Sequence, residues 1–95
     1  MSDVIEAAVA ALNEKIEGGF AGSAKFVIED EGSIIVDADG VRASDDEAEV
    51  TLTADLETFK AMMDGELNPT AAFMTGKLSV DGDMGLAMKL GSAFA

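Results

Sequence analysis

Carboxylates are the one kind of reactive side chain this sequence holds in number. Nineteen Asp and Glu stand against six Lys and Arg, and there is no His and no Cys. Without His the commonest general base and metal ligand is missing. Without Cys there is no disulfide, thiolate or thiol redox chemistry. A carboxylate pair can be nominated anywhere in so acidic a chain, yet no spacing marks one pair above another. Ser and Thr nucleophiles would need a base, and no Lys sits in a motif that supplies one. Gly18-Gly19 and Gly82 to Gly85 do not make a phosphate loop, because no G-x-G-x-x-G follows a strand and no G-K-[ST] occurs. Asp37-Ala38-Asp39-Gly40 resembles a piece of a calcium loop but lacks the further acidic position and the distal bidentate Glu. It reads as a turn. The chemistry expected here is therefore not bond breaking: no enzyme, no cofactor and no metal.

The side chain with something to say is Met. Five of the six lie after Glu57, at 62, 63, 74, 84 and 88. Met is flexible and polarizable, so it fills irregular gaps in cores and also suits surfaces that accept several apolar shapes. On composition alone core packing is the simpler account of these five residues.

The elements that must position them follow from periodicity and caps. Ninety-five residues make one domain, residues 1–95, burying roughly 60–65% of its unfolded surface. Residues 3–17 predict an amphipathic helix, with Asp3 as cap, Glu6 in the capping-box position, Ile5, Ala8, Val9, Leu12 and Ile16 on one face, and Gly18-Gly19 as its stop. Ser23 to Glu29 alternates as a strand with Ala24, Phe26 and Ile28 on one face. Asp30-Glu31-Gly32 turns, and Ser33 to Asp37 returns with Ile34 and Val36 inward. Val41 to Ser44 is a short edge strand, and Ser44 to Glu47 a solvated acidic loop. Ala48 to Thr53 is a fourth strand with Val50 and Leu52 inward. Thr53 or Asp55 then caps a helix to about Asp64, whose stripe is Leu56, Phe59, Met62 and Met63, and Gly65 ends it. Asn68-Pro69 starts a helix to Thr75, since Asn caps free N–H groups and Pro fits the first helical turn. Gly76 stops it, Lys77 to Asp81 is a fifth strand, and Gly82-Asp83 turns into a last helix carrying Met84, Leu86, Met88 and Leu90 to about Phe94. Strands in a run, with helices before and after, predict an α+β fold with a mostly antiparallel sheet covered by helices on one face.

The stretch Asn68 to Leu90, NPTAAFMTGKLSVDGDMGLAMKL, with Asp55 to Gly65, DLETFKAMMDG, before it, resembles the sterol carrier protein-2 (SCP-2) family of small lipid-binding domains. The resemblance is strong from about Val50 to Leu90 and topological before that. It implies a five-stranded sheet with an apolar tunnel between sheet and helices. The ligand would be a lipid, whether fatty acid, fatty acyl-CoA, phospholipid or sterol-like molecule. In that reading the tunnel is lined by Leu56, Phe59, Met62, Met63, Phe73, Met74, Met84, Leu86, Met88 and Leu90 over a floor of Phe26, Ile28, Ile34, Val36 and Leu52. The expected function is non-catalytic lipid binding and transfer. The alternative is an accessory module that presents a greasy intermediate to enzymes, as in quinone-lipid biosynthesis, and a third reading is a filled structural domain.

An empty tunnel of about 300 Å³ would cost about 7 kcal/mol, comparable with the whole stability of such a domain. The tunnel is therefore expected to be lipid-filled or partly collapsed. Compared with the family, few residues follow Leu90. The expectation is a wider mouth, a smaller ligand or closure by a second subunit through the last helix, with Phe94 as lid or homodimer contact. The net charge of −13 disfavours nucleic acid, anionic membranes and the polyanionic head of acyl-CoA, unless Lys60, Lys77 and Lys89 cluster. No window approaches ~18 uncharged apolar residues, no basic n-region opens the chain, and the C-terminus is not the Ser-Lys-Leu address. The expectation is a cytoplasmic bacterial protein without stable membrane insertion.

Overall fold

The computed structural model describes residues 3–16 and 20–94, with side chains up to residue 90. The elements are α1 (Asp3–Lys15), β1 (Ala24–Ile28), β2 (Gly32–Asp37), β3 (Gly40–Ala43), β4 (Val50–Ala54), α2 (Leu56–Met63), α3 (Pro69–Met74), β5 (Leu78–Gly82) and α4 (Met84–Phe94). The predicted elements are all present, with ends moved by one or two residues. Asp3 is itself the first helical residue, and with Glu6 it places negative charge in the first turn, where the helix dipole favours it. The stop read at Gly18-Gly19 lies outside the described residues, as does the side chain of Phe94.

The five strands form one mixed sheet in the order β3-β2-β1-β4-β5. The β1–β2, β2–β3 and β4–β5 pairs are antiparallel, and β1–β4 is parallel. Register puts Ile34, Phe26, Leu52 and Val80 in one row across the sheet, and Val36, Ala24 and Val50 in the next. These residues share the face the helices cover. All but half-buried Val80, which packs against them, join Ile5, Ala8, Leu12, Phe59, Met62, Ala72 and Leu90 in a single core cluster. α1 lies over β2 and β3, while α3 and α4 lie over β5 and β4.

The opposite face holds Lys25, Ser33 and Thr51, yet Ile35 on that face is only 2% exposed. The β3–β4 connection accounts for it. In this strand order the chain must pass back across β2 and β1 to reach β4. Asp45 is pinned on the way by the Lys25 ammonium at 2.6 Å and the Ser33 hydroxyl at 3.3 Å. Ser23 and Glu49 then exchange hydrogen bonds: the Glu49 N–H donates to Ser23 Oγ, and the Ser23 N–H donates to Glu49 Oε2, each at 3.0 Å. The acidic loop expected to be merely solvated is thus a strap. Its Asp45 side chain remains 85% exposed, but the bond from Lys25 holds that carboxyl below its ordinary range.

Candidate lipid-binding clefts

Two short helices and a strand build the first cleft, and local signals fix each. In α3 the Asn68 side chain accepts the Thr70 N–H at 2.8 Å and Pro69 fills the first turn. At its far end the Gly76 N–H donates to Phe73 O and the Lys77 N–H to Ala72 O, with Gly76 at φ +79°. This is the paired closure that a left-handed glycine permits. α2 ends the same way at Gly65, and Asp55 caps its start by accepting the Thr58 N–H at 2.7 Å. That bond lowers the Asp55 carboxyl below its usual pKa. Asp83 caps α4 through the Leu86 N–H at 3.2 Å. Just before it, Gly82 is pressed against the Glu49 carbonyl at φ +107°, where no side chain would fit.

The result is an open cleft of about 310 Å³ between α3, β5 and α4. Its floor is Leu52, Leu78 and Val80, and its rim is Phe73, Met74, Met84 and Met88. Thr70 supplies the single side-chain hydroxyl among the lining residues. A second cleft of about 360 Å³ opens between α1 and α2, lined by Val4, Ala7, Ala8, Ala11, Leu56, Phe59 and Met63. Asp3, Lys60 and Asp64 also line it. Lys60 therefore stands among carboxylates and does not form the basic cluster that an anionic head group would need.

The predicted residues divide among three places. Leu52, Phe73, Met74, Met84 and Met88 line the α3/α4 cleft, and Leu56, Phe59 and Met63 line the α1/α2 cleft. Phe26, Ile28, Ile34, Val36, Met62 and Leu90 lie in the core, at most 2% exposed. Leu86 packs half-buried against that core. What separates the clefts is short. Leu52 of one neighbours Phe26 across the β1–β4 pair, and the Phe26 ring meets Phe59 of the other edge-on, centroids 5.7 Å apart. Pro69, Thr70, Leu78, Val80 and Ala87 also line the first cleft and α1 lines the second, and none of them is among the tunnel residues that the family resemblance implies. The usable signal was Ala7, Ala8 and Ala11, side chains too small to fill the space beside α2.

Elsewhere the carboxylates do ordinary work. Asp37 accepts the Asp39 N–H at 2.9 Å and pairs with Arg42 at 2.9 Å, and the Arg42 bond lowers its pKa. The DADG run is a turn. Among the described residues no group of three or more acidic side chains is arranged to hold a metal ion, and no helix is long and apolar enough to cross a membrane.

Comparison with known proteins fits this architecture. The sequence profile of the SCP-2 sterol transfer family matches residues 5–95. Human sterol carrier protein 2 is 51% identical over 47 residues, 50% of this chain and 9% of that protein. The solution structure of Aedes aegypti sterol carrier protein-2 in complex with palmitate superposes with a TM-score of 0.79 at 25% identity, covering 100% of this chain and 97% of that one. The UbiJ-SCP2 ubiquinone synthesis protein shares the fold, with a TM-score of 0.67 at 17% identity over 96% of this chain and 88% of that one. The chain spans 9–20% of the length of the curated relatives it matches. With the profile matched over residues 5–95 and the fold shared with these structures, this chain belongs to the SCP-2 sterol transfer family.

Proposed function

We propose that this chain binds and carries a lipid with a hydrocarbon chain, without catalysis, and that the α3/α4 cleft is where the chain enters. The observation that carries the reading is the composition of that cleft: one hydroxyl among otherwise apolar side chains, opening on the core beneath Leu52. The palmitate held by the Aedes aegypti relative supports a fatty acyl ligand. A cleft of about 310 Å³ lies at the low end for ligand sites. We take the two clefts as the ends of one path that closes over Phe26, Phe59 and Met62 when empty. Closure avoids an enclosed cavity that the small domain could not sustain.

The mechanism is partition. An acyl chain gains about 0.8 kcal/mol for each CH₂ removed from water, but almost nothing on leaving a bilayer that is already apolar. Such a carrier need only match the bilayer, so it releases as readily as it binds. Specificity comes from shape and from groups at the mouth, and the negative field disfavours polyanionic heads.

A second reading uses the same cleft. Exposed Phe73, Met74, Met84 and Met88 also offer a surface from which an enzyme could collect a presented lipid.

Mass spectrometry of a lipid extract from the purified chain, followed by titration with palmitate, tests the proposal. A stoichiometric lipid or saturable uptake is expected. An empty protein that takes up neither fatty acid nor phospholipid overturns it and leaves a filled structural domain. A stable enzyme partner in a pull-down from the host would favour the presenting role.

A further inference from the structure

Among the described residues the exposed large hydrophobics are Phe73, Met74, Met84 and Met88, and all four line the α3/α4 cleft. Leu or Ile would give the rim apolar contact too, though stiffer than the contact that flexible Met gives. Met adds a soft sulfur that hydroperoxides oxidise, to a degree that follows access. The chain holds methionines at both extremes: Met74 is 79% exposed, Met88 74% and Met84 46%, whereas Met62 in the core is 1% exposed.

We infer that Met74, Met84 and Met88 form a sulfoxidation site at the mouth of the cleft, through which a hydroperoxide switches lipid binding off. The inference rests on the lipid-binding reading of that cleft. In the step a sulfur lone pair attacks one peroxide oxygen and the O–O bond breaks. The leaving hydroxide, or the alkoxide of a lipid hydroperoxide, takes the proton from the oxygen now on sulfur and departs as water or as an alcohol. Sulfur loses two electrons and the peroxide gains them. The sulfoxide is polar and a strong acceptor. Beside an acyl chain the lining offers it one side-chain donor, the Thr70 hydroxyl, so burying it against ligand weakens binding. The fold is spared because Met62, the methionine packed in the core, is shielded.

The test treats the whole chain with hydrogen peroxide and follows each methionine by peptide mass mapping, alongside palmitate affinity and thermal unfolding. Met74 and Met88 are expected to oxidise first, Met84 next and Met62 last. Affinity should fall about tenfold or more as the first two react, with the unfolding midpoint nearly unmoved. A Met74→Leu/Met84→Leu/Met88→Leu variant, compared with its own affinity before peroxide, should lose none at the dose that oxidises Met74 and Met88 of the wild type, before half-buried Met63 of the other cleft reacts. A sulfoxide reductase driven by a dithiol, which removes the oxygen as water and leaves a disulfide, should restore binding to the treated wild type. Unchanged affinity with Met74 and Met88 oxidised overturns the inference, as does Met62 reacting as fast as Met74. Failure of the untreated chain to bind any lipid overturns the lipid reading itself, and the first titration reveals it before peroxide is added.

Discussion

Phe59 serves two structures at once. Its ring lies edge-on to Phe26 at 5.7 Å, 3% exposed in the core, and it also lines the α1/α2 cleft. Removing it should connect that cleft with the space over Leu52. Phe59→Ala is expected to cost about 3–5 kcal/mol of stability without ligand, the usual figure for a buried aromatic. If the path belongs to a lipid, the loss should be partly reversed by ligand filling the new space. Binding at 100 times Kd contributes about 2.7 kcal/mol, and a hydrocarbon that fills a cavity contributes contacts as well. Chemical denaturation with and without palmitate checks this. A variant destabilised equally in both conditions would mean that Phe59 only packs the core and that no path runs past it.

At the scale of elements, α3 has six residues, too few to hold a helix by its own hydrogen bonds. Ala72 anchors it in the core, and its two ends are fixed by Asn68 and Gly76. Asn68→Ala should cost about 1 kcal/mol, concentrated in α3. Amide exchange should speed up at residues 70–75 while β1 and β4 stay protected, and palmitate affinity should fall because Phe73 and Met74 are positioned by that helix. Uniformly faster exchange would show that α3 is not a separable unit. These devices were legible from sequence because each is local: the Asn-Pro start, the glycine stops and the period-2 runs all act within a few residues. Non-local features were not. Nothing in the alternation of Ala24, Phe26 and Ile28 says that β1 pairs in parallel with β4. Ile35 reads as an outward strand residue until the Asp45 strap is seen to cross that face. The alanines of α1 line a cleft only because α2 leaves space beside them. The fifteen predicted tunnel residues share an apolar character that periodicity reports faithfully. Which of them line a cleft and which close the core depends on helix placement of a few ångströms, and periodicity does not contain that.

At the scale of the whole molecule, 30 × 28 × 22 Å, a net charge of −13 acts on everything. The screening length is about 30 Å at 0.01 M salt and about 3 Å at 1 M, so at low salt every charge feels every other. Among the described residues the ion pairs Lys25–Asp45 and Arg42–Asp37, each with one partner half-buried at the surface, are small against that repulsion. Salt is therefore expected to stabilise: between 0.01 M and 1 M sodium chloride at pH 7 the unfolding midpoint should rise by about 5 °C or more. The pH dependence has two parts of opposite sign. Acidification from pH 7 toward 5 begins to relieve repulsion and should stabilise. Asp37, Asp45 and Asp55 have folded pKa values below their ordinary 3.8. Their contribution is present above that value and is lost as pH falls through the lower folded ones, so stability should drop below about pH 4. A midpoint that falls with added salt would show that the pairs dominate.

The same field bears on where a carried lipid comes from. Encounter with an anionic bilayer is opposed at long range, whereas a zwitterionic surface presents no net charge to oppose it. Uptake of a fluorescent fatty acid should be faster from phosphatidylcholine vesicles than from vesicles containing phosphatidylglycerol. At 1 M salt, with the screening length near 3 Å, the two rates should converge. A difference that persists at high salt would place the selectivity in short-range contacts at the Met-rimmed mouth and not in the charge of the whole chain.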